Sequence, residues 1–125
     1  MGRGNRFLMA NILCIGIDED AMKARHTALE RAGHTVSQAK DIRQVIAACS
    51  GIKFDVIILG QSLPAKEKLR VYDLVRQHGS GAKVLELHHG PAEISQADAH
   101  IRVNGGTPTE LVDVISALTT RRKSA

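Results

Sequence analysis

Side chains able to do chemistry follow two of the apolar runs of the chain. Carboxylates cluster at Asp18–Asp20, directly after the run "NILCIGI", where they favour the N-terminus of a helix rather than a catalytic site. Imidazoles lie at His88 and His89, at the end of "AKVLELHH", with His100 further on. Adjacent strand residues point to opposite faces, so His88 and His89 do not easily share one metal ion. Glu86 does share a face with His88, and we expect a Glu–His hydrogen bond or ion pair rather than a metal site.

Two glycine positions also bear on function. The run "FDVIILGQSLP" (54–64) ends at Gly60, which has no side chain to offer. Gly105 and Gly106 precede the last predicted helix, and a helix N-terminus can hold an anion. We interpret this glycine pair as a flexible strand–helix connection, with anion binding as the alternative.

Composition indicates one folded domain and excludes several classes of function. The chain has 125 residues, 43% hydrophobic and 24% charged, which suits a single domain with one core. Phe7, Phe54 and Tyr72 are the only aromatic residues, too few for a protein that stacks nucleic-acid bases. Cys14 and Cys49 have no metal-ligand spacing, so we expect free thiols and a cytoplasmic location. No apolar run is long enough to span a bilayer.

The net charge of +4 belongs to the two ends of the chain. The terminal basic residues are Arg3, Arg6, Arg121, Arg122 and Lys123. Without these five, 12 basic residues of the 17 remain against 13 acidic ones. We interpret the ends as solvated tails rather than nucleic-acid arms.

Apolar runs of strand length alternate with helical patterns along the chain. The runs are 11–17, 34–39, 55–59, 82–89 and 100–103. Asp18 and Asp41 are predicted N-caps, and the sequence "TPTE" at 107–110 predicts the start of the last helix. The first helix is predicted to bury Ala21, Met22, Ala28, Leu29 and Ala32, and the helix 65–78 to bury Leu69, Tyr72 and Val75. The segment "PAEISQA" (91–97) is predicted as a short helix.

Five successive βα units with apolar strands predict a parallel sheet covered on both faces. At this length we expect an α/β three-layer sandwich of the flavodoxin-like type, with strand order 2-1-3-4-5. Ligands of such sheets bind beyond the carboxyl ends of the strands, at the switch point of the strand order. The switch point here brings together Gly16, Ile17, Asp18 and Gly60, with His88 and Asn104 arriving from strands 4 and 5.

In order and spacing, these segments resemble the receiver domain of two-component response regulators (CheY-like fold). The resemblance runs from about Asn11 to Thr120 and rests on "ILCIGIDEDAMKARHTALERAGHTV", "FDVIILGQSLP", "KVLELHH", "ADAHIRV" and "TPTELVDVISAL". It implies residues 1–10 as an extension, 11–120 as the receiver-like domain and 121–125 as a basic tail. A working receiver holds a divalent cation on an acidic pair after strand 1 and is phosphorylated on an Asp at the end of strand 3. It also has a Thr or Ser at the end of strand 4, a Lys followed by a Pro at the end of strand 5, and often an aromatic residue on strand 5 that switches rotamer.

This sequence departs from that pattern at each functional position. The acidic pair falls on Gly16 and Ile17, and the phosphoacceptor falls on Gly60. The hydroxyl falls on His88, the Lys on Asn104, the Pro after it on Gly105, and the switching aromatic on Ile101. Asp18 matches a third acidic position of the family, where helix capping explains it. A register shifted by two would make Asp18 and Asp20 the acidic pair, but the end of the first helix at Gly33 argues against it.

The resemblance therefore implies a degenerate receiver, or pseudo-receiver. We expect no enzymatic activity, no cofactor and no metal site. The expected function is signalling through a protein partner or a homodimer, by way of residues 91–120 and without phosphorylation. The alternative is a small-ligand or anion sensor that uses the altered pocket of Gly16, Gly60, His88 and Asn104. Neither nucleic acid nor membrane is expected as a partner.

Overall fold

The computed structural model describes residues 9–78, 81–103 and 108–119, which form one parallel sheet with helices on both faces. The strand order β2-β1-β3-β4-β5 confirms the predicted topology and the flavodoxin-like fold. The strands are β1 Asn11–Ile15, β2 Thr35–Ala39, β3 Val56–Leu59, β4 Lys83–His88 and β5 Ala99–Arg102. The helices are α1 Glu19–Arg31, α2 Ile42–Gly51, α3 Ala65–Gln77 and α4 Pro108–Thr119.

The apolar strands form the predicted core on both faces of the sheet. Alternate residues of β1 enter different clusters, because successive strand side chains point to opposite faces. Ile12 and Cys14 pack with α1 and α4, and Leu13 and Ile15 pack on the face of α2 and α3. The strands β1 and β3 are central, so all four residues of β3 are buried.

Two predicted helix caps are present. The Asp18 carboxylate accepts a hydrogen bond of 3.1 Å from the N–H of Ala21, and the Asp41 carboxylate accepts one of 2.9 Å from Gln44. Gly33 follows the end of α1 with φ of +99°, a conformation that favours glycine. The cap predicted at Thr107 lies outside the described residues.

The helix predicted over 91–97 is wrong, because the segment forms turns. The connection from His88 to Ala99 has only ten residues, 89–98, whereas a helical crossover between parallel strands takes a dozen or more. The turn segment instead buries Ile94 and bonds to the Glu86 carboxylate through the N–H groups of Glu93 and Ile94.

The predicted apolar stripe of α3 is partly wrong as well. Leu69 is 46% exposed, and the side chain buried beside Val71 and Val75 is Lys68. Lys68, Tyr72 and Arg76, spaced by four residues, lie on one side of α3. Each donates to the β4–β5 connection or its neighbouring backbone, so a polar seam holds this connection against α3.

Candidate functional site

The carboxyl ends of β1 and β3 approach each other closely at two glycines. The N–H of Gly60 donates to the carbonyl oxygen of Ile15 at 2.7 Å. A Cβ atom on residue 60 would lie 2.8 Å from that oxygen and 3.4 Å from the Cα of Gly16. Real Cβ atoms do not approach a backbone oxygen so closely, so any other residue at position 60 would force the backbone of this junction to shift.

The space beside Gly60 is filled by the side chain of Arg25, which enters from α1. Arg25 is 7% exposed, and its Nη1 would lie 3.4 Å from a Cβ at residue 60. Its Nη2 donates to Oε1 of Gln61, in the turn after β3. No carboxylate lies within ion-pair distance of Arg25 among residues 9–78, 81–103 and 108–119.

Burial shifts the titration of two groups at this end of β1. Desolvation lowers the pKa of Arg25, partly offset by the nearby Cys14 and Asp18, and a guanidinium remains charged at neutral pH. Desolvation raises the pKa of the Cys14 thiol to about 12, partly offset by Arg25, so this thiol is neutral. The site therefore carries a buried positive charge.

Sequence reasoning missed Arg25, although a signal was present. Met22, Arg25 and Leu29 are the buried residues of α1, with the i, i+3, i+7 spacing of an inward face. The predicted stripe included Met22 and Leu29 but passed over the charged residue between them. Of the alanines predicted with them, Ala21 and Ala28 are half-buried and Ala32 is exposed.

The acidic cluster of residues 18–20 is engaged in local structure. The Asp18 carboxylate caps α1, and Glu19 forms a salt bridge of 2.8 Å with Lys40, whose hydrogen bond lowers the pKa of Glu19. Ile17 is 54% exposed, and its N–H donates to Oγ of Ser62 at 3.3 Å. The loop after β1 is thus tied to the turn after β3.

The predicted pairing of Glu86 with His88 is wrong. The Nδ1–H of His88 donates to the carbonyl oxygen of Gly90 at 2.6 Å, and Glu86 binds Lys68 instead. The histidine near Glu86 is His100, whose Nε2 lies 3.6 Å from Oε1 of Glu86 and 2.8 Å from the Ile94 carbonyl oxygen. Sequence spacing could not identify Lys68, because it reaches the sheet from α3.

Glu86 and Lys68 form a buried ion pair, and further hydrogen bonds and a second carboxylate surround it. Their side chains are 0% and 1% exposed, and Nζ lies 2.9 Å from Oε2. The ammonium also donates to the Leu87 carbonyl oxygen at 2.9 Å and lies 3.1 Å from Oε1 of Glu93. Burial raises the pKa of Glu86, but the N–H groups of Glu93 and Ile94 and the Lys68 ammonium outweigh it, and the net pKa is lowered.

The remaining candidate positions are only partly brought together. Ile101 lies on β5 with its side chain buried in the core, 6% exposed. Asn104, Gly105 and Gly106 lie outside the described residues. Within the described part of the chain, no three His, Cys, Asp or Glu side chains form a group that could hold a metal ion.

Two depressions border this region. A cavity of about 250 Å³ lies beside Gly16 and Ile17 towards β2, with Lys23, Gln38 and Lys40 in its wall. It includes neither Gly60 nor His88, so it is not the pocket that the sequence predicts. A larger groove of about 760 Å³ runs between α1 and α4, with Ala24, Ala28 and Val112 in its lining.

The architecture and this arrangement of strand ends are those of the receiver fold, and solved receivers match it over nearly their whole length. The chemotaxis response regulator CheY4 of Vibrio cholerae superposes with a TM-score of 0.76 at 20% identity, over 89% of this chain and 99% of that one. The response regulator TrrA of Thermotoga maritima, in complex with Mg²⁺ and BeF, gives 0.74 at 19% identity over 88% and 99%. A structure of histidine kinase ThkA in complex with TrrA gives 0.75 at 20% identity over 90% and 100%.

These similarities establish the CheY-like fold. No protein-family model and no curated protein matches the sequence. Among the described residues, no helix is long and apolar enough to cross a membrane.

Proposed function

We propose that this chain is a receiver-like signalling module that acts on a protein partner without aspartyl phosphorylation. The observation that carries the proposal is the end of β3, where Gly60 lies against the Arg25 guanidinium. Phosphoryl transfer to a receiver needs a nucleophilic carboxylate and cations placed around the phosphoryl oxygens. Gly60 offers no nucleophile, and Gly16 and Ile17 offer no side-chain metal ligands. The module is therefore not an enzyme in this proposal and needs no cofactor.

The receiver fold supports a protein partner. One similar structure holds a response regulator in complex with a histidine kinase, so a surface of this fold can bind another protein. By resemblance we assign the interface to residues 91–120, with a separate protein or a second copy as the occupant. The described part of this range consists of the turn segment 91–97, β5 and α4, and these would form the interface. The turn segment takes the place of the helix that the sequence predicted there.

The first test is chemical modification. The protein is incubated with Mg²⁺ and acetyl phosphate and its mass is measured, with an authentic receiver as the positive control. We expect an unchanged mass. A phosphoryl group found on an Asp or Glu near the β1–β3 junction would refute the proposal.

The second test maps the interface in the native host. A photo-crosslinking residue replaces exposed Asp113 on α4, and the matched control replaces exposed Arg43 on α2. We expect one dominant adduct from position 113, unaltered by acetyl phosphate, and none from position 43. Adducts only from position 43, or adducts that require acetyl phosphate, would contradict the proposal.

A small-ligand or anion sensor is the second candidate function. The observation that favours it is the cavity beside Gly16, where Lys23 and Lys40 supply positive charge at the carboxyl end of the sheet. A thermal-shift screen of small anions tests it, because a specific ligand raises the melting temperature by mass action. The Lys40→Met variant is the control, and a shift that it retains in full would argue against this cavity.

A further inference from the structure

The turn between β3 and α3 is tied to two other elements at its outer end. The N–H of Leu63 donates to the Gly60 carbonyl oxygen at 3.2 Å, which closes the turn. The Oγ of Ser62 accepts from the N–H of Ile17, and Oε1 of Gln61 accepts from Arg25. The first of these side-chain contacts reaches the loop after β1, and the second reaches α1.

Arg25 is unusual in this arrangement because it is a charged side chain buried at the edge of an apolar core. Arg25 is only 7% exposed, and burying a charged side chain costs free energy unless hydrogen bonds or an ion pair offset it. Its hydrogen-bonding partner among the described residues is the Gln61 amide, and no carboxylate neutralises it at ion-pair distance. The energy of this contact thus depends on the position of the turn.

We propose that Arg25 is a built-in cation that fixes the β3–α3 turn through Gln61 and holds the outer end of the sheet in one arrangement without any bound ion. Its positive charge also opposes entry of a divalent cation between β1 and β3, because like charges repel strongly where water is excluded. The Ser62 hydroxyl of this turn accepts from the N–H of Ile17, so the turn also holds the backbone of the loop after β1. This device goes beyond the proposed function, since it requires no partner.

Amide hydrogen exchange measured residue by residue by NMR tests the proposal. The reporters are the N–H groups of Leu63 and Ile17, which the turn protects, and the N–H of Ile58 in central β3 is the reference for global unfolding. In Arg25→Met we expect exchange of both reporters to accelerate about 10- to 100-fold beyond any change at Ile58, the equivalent of a lost charged hydrogen bond. Arg31→Met, the same substitution at an exposed position of the same helix, is the matched control and should leave both reporters unchanged.

Gln61→Ala separates positioning from packing. Because Gln61 is half-buried in a turn, this variant keeps the core intact. It should accelerate the same two reporters, and Arg25→Met with Gln61→Ala together should add little, since both changes remove one contact. In Arg25→Ala, millimolar guanidinium ion should restore part of the protection, whereas the same concentration of Mg²⁺ or NaCl should not.

Three results would overturn the proposal. One is an exchange rate of the two reporters in Gln61→Ala and Arg25→Met that stays within twofold of the wild-type rate, once the change at the reference amide of Ile58 is subtracted. Another is additive acceleration in the double variant. The third is slower reporter exchange of the wild-type protein on addition of Mg²⁺, which would mean that a soluble cation enters the site.

Discussion

Replacing Lys68 by methionine tests whether the buried ion pair holds the β4–β5 connection in place. The ammonium lies within 3.1 Å of three oxygens, on Glu86, on Leu87 and on Glu93. Methionine has a similar length and fills the same space, but it leaves the Glu86 carboxylate buried without its cation. The change in stability therefore reports the loss of the charge rather than a loss of packing.

The expected loss follows from the burial of both partners. Removing one member of a buried ion pair costs about 3–5 kcal/mol, whereas an exposed pair contributes roughly 0–1 kcal/mol. Lys68 and Glu86 are 1% and 0% exposed, so the larger range applies. With a urea dependence of about 2 kcal/mol/M, the unfolding midpoint should fall by roughly 2 M. A domain of this size has about 5–15 kcal/mol of stability, so the variant remains folded unless the wild type is at the low end.

Urea unfolding followed by far-UV circular dichroism measures this loss. Lys66→Met, an exposed lysine of the same helix, is the matched control and should change stability by less than about 0.5 kcal/mol. The double variant Lys68→Met with Glu86→Gln should be more stable than Lys68→Met alone, because the carboxylate still without its cation, that of Glu93, is exposed, and an amide oxygen at residue 86 still accepts from Ile94. A loss below about 1 kcal/mol in the single variant, or a double variant less stable than the single one, would refute the reasoning.

Three further predictions concern the glycine junction, divalent metals and pH. Gly60→Ala and Gly60→Asp should each lose about 1–3 kcal/mol, because a Cβ would lie 2.8 Å from the Ile15 oxygen, and aspartate should lose less than alanine through attraction to Arg25. Equal stability of both variants and the wild type in urea would contradict the close approach. EDTA or Mg²⁺ should shift the melting temperature by less than about 1 °C, whereas loss of a metal bound at 100 times its Kd would remove about 2.7 kcal/mol. The folded-state pKa of Glu86 is lowered, so its stabilisation is present above its unfolded pKa of about 4.3 and is lost as the pH falls through the folded value. Wild-type stability should fall more steeply than that of Glu86→Gln below about pH 4, with Glu110→Gln at an exposed site as the control, and parallel pH profiles would exclude this contribution.

The sheet and its order were predictable because the central strands β1 and β3 are mostly apolar runs that are buried on both faces. Runs buried on both faces are typical of strands in a parallel sheet. The strand order then follows from the right-handed crossover connections and from the length of the chain. The caps at Asp18 and Asp41 were predictable for a similar reason, since a cap is a contact over three residues.

The errors share one physical cause, which is that the partners of the buried polar side chains lie on other elements of the fold. Leu69 was predicted to be buried and Lys68 was passed over, because a hydrophobicity pattern cannot include a partner on another element. Glu86 was paired with the nearest residue on its own strand, while its cation lies 18 residues away on α3. The short helix at 91–97 failed for a related reason, since the Lys68, Tyr72 and Arg76 seam holds a turn segment there instead.

The end of β3 contains both a feature that the sequence predicted and a buried polar residue that it missed. The sequence indicates a bare position at Gly60, but in the structure Arg25 fills the space beside it, so the missing side chain and the buried cation belong together. Installing carboxylates with Gly16→Asp, Ile17→Asp and Gly60→Asp, together with Asn104→Lys, would therefore place the new acceptor against a guanidinium that takes the room of a metal ion. We expect this fourfold variant to remain unmodified by acetyl phosphate and Mg²⁺ in a mass measurement. A fivefold variant that also carries Arg25→Ala is the comparison, because it removes the guanidinium. Phosphorylation of the fourfold variant at the same rate as the fivefold one would mean that Arg25 does not obstruct this site.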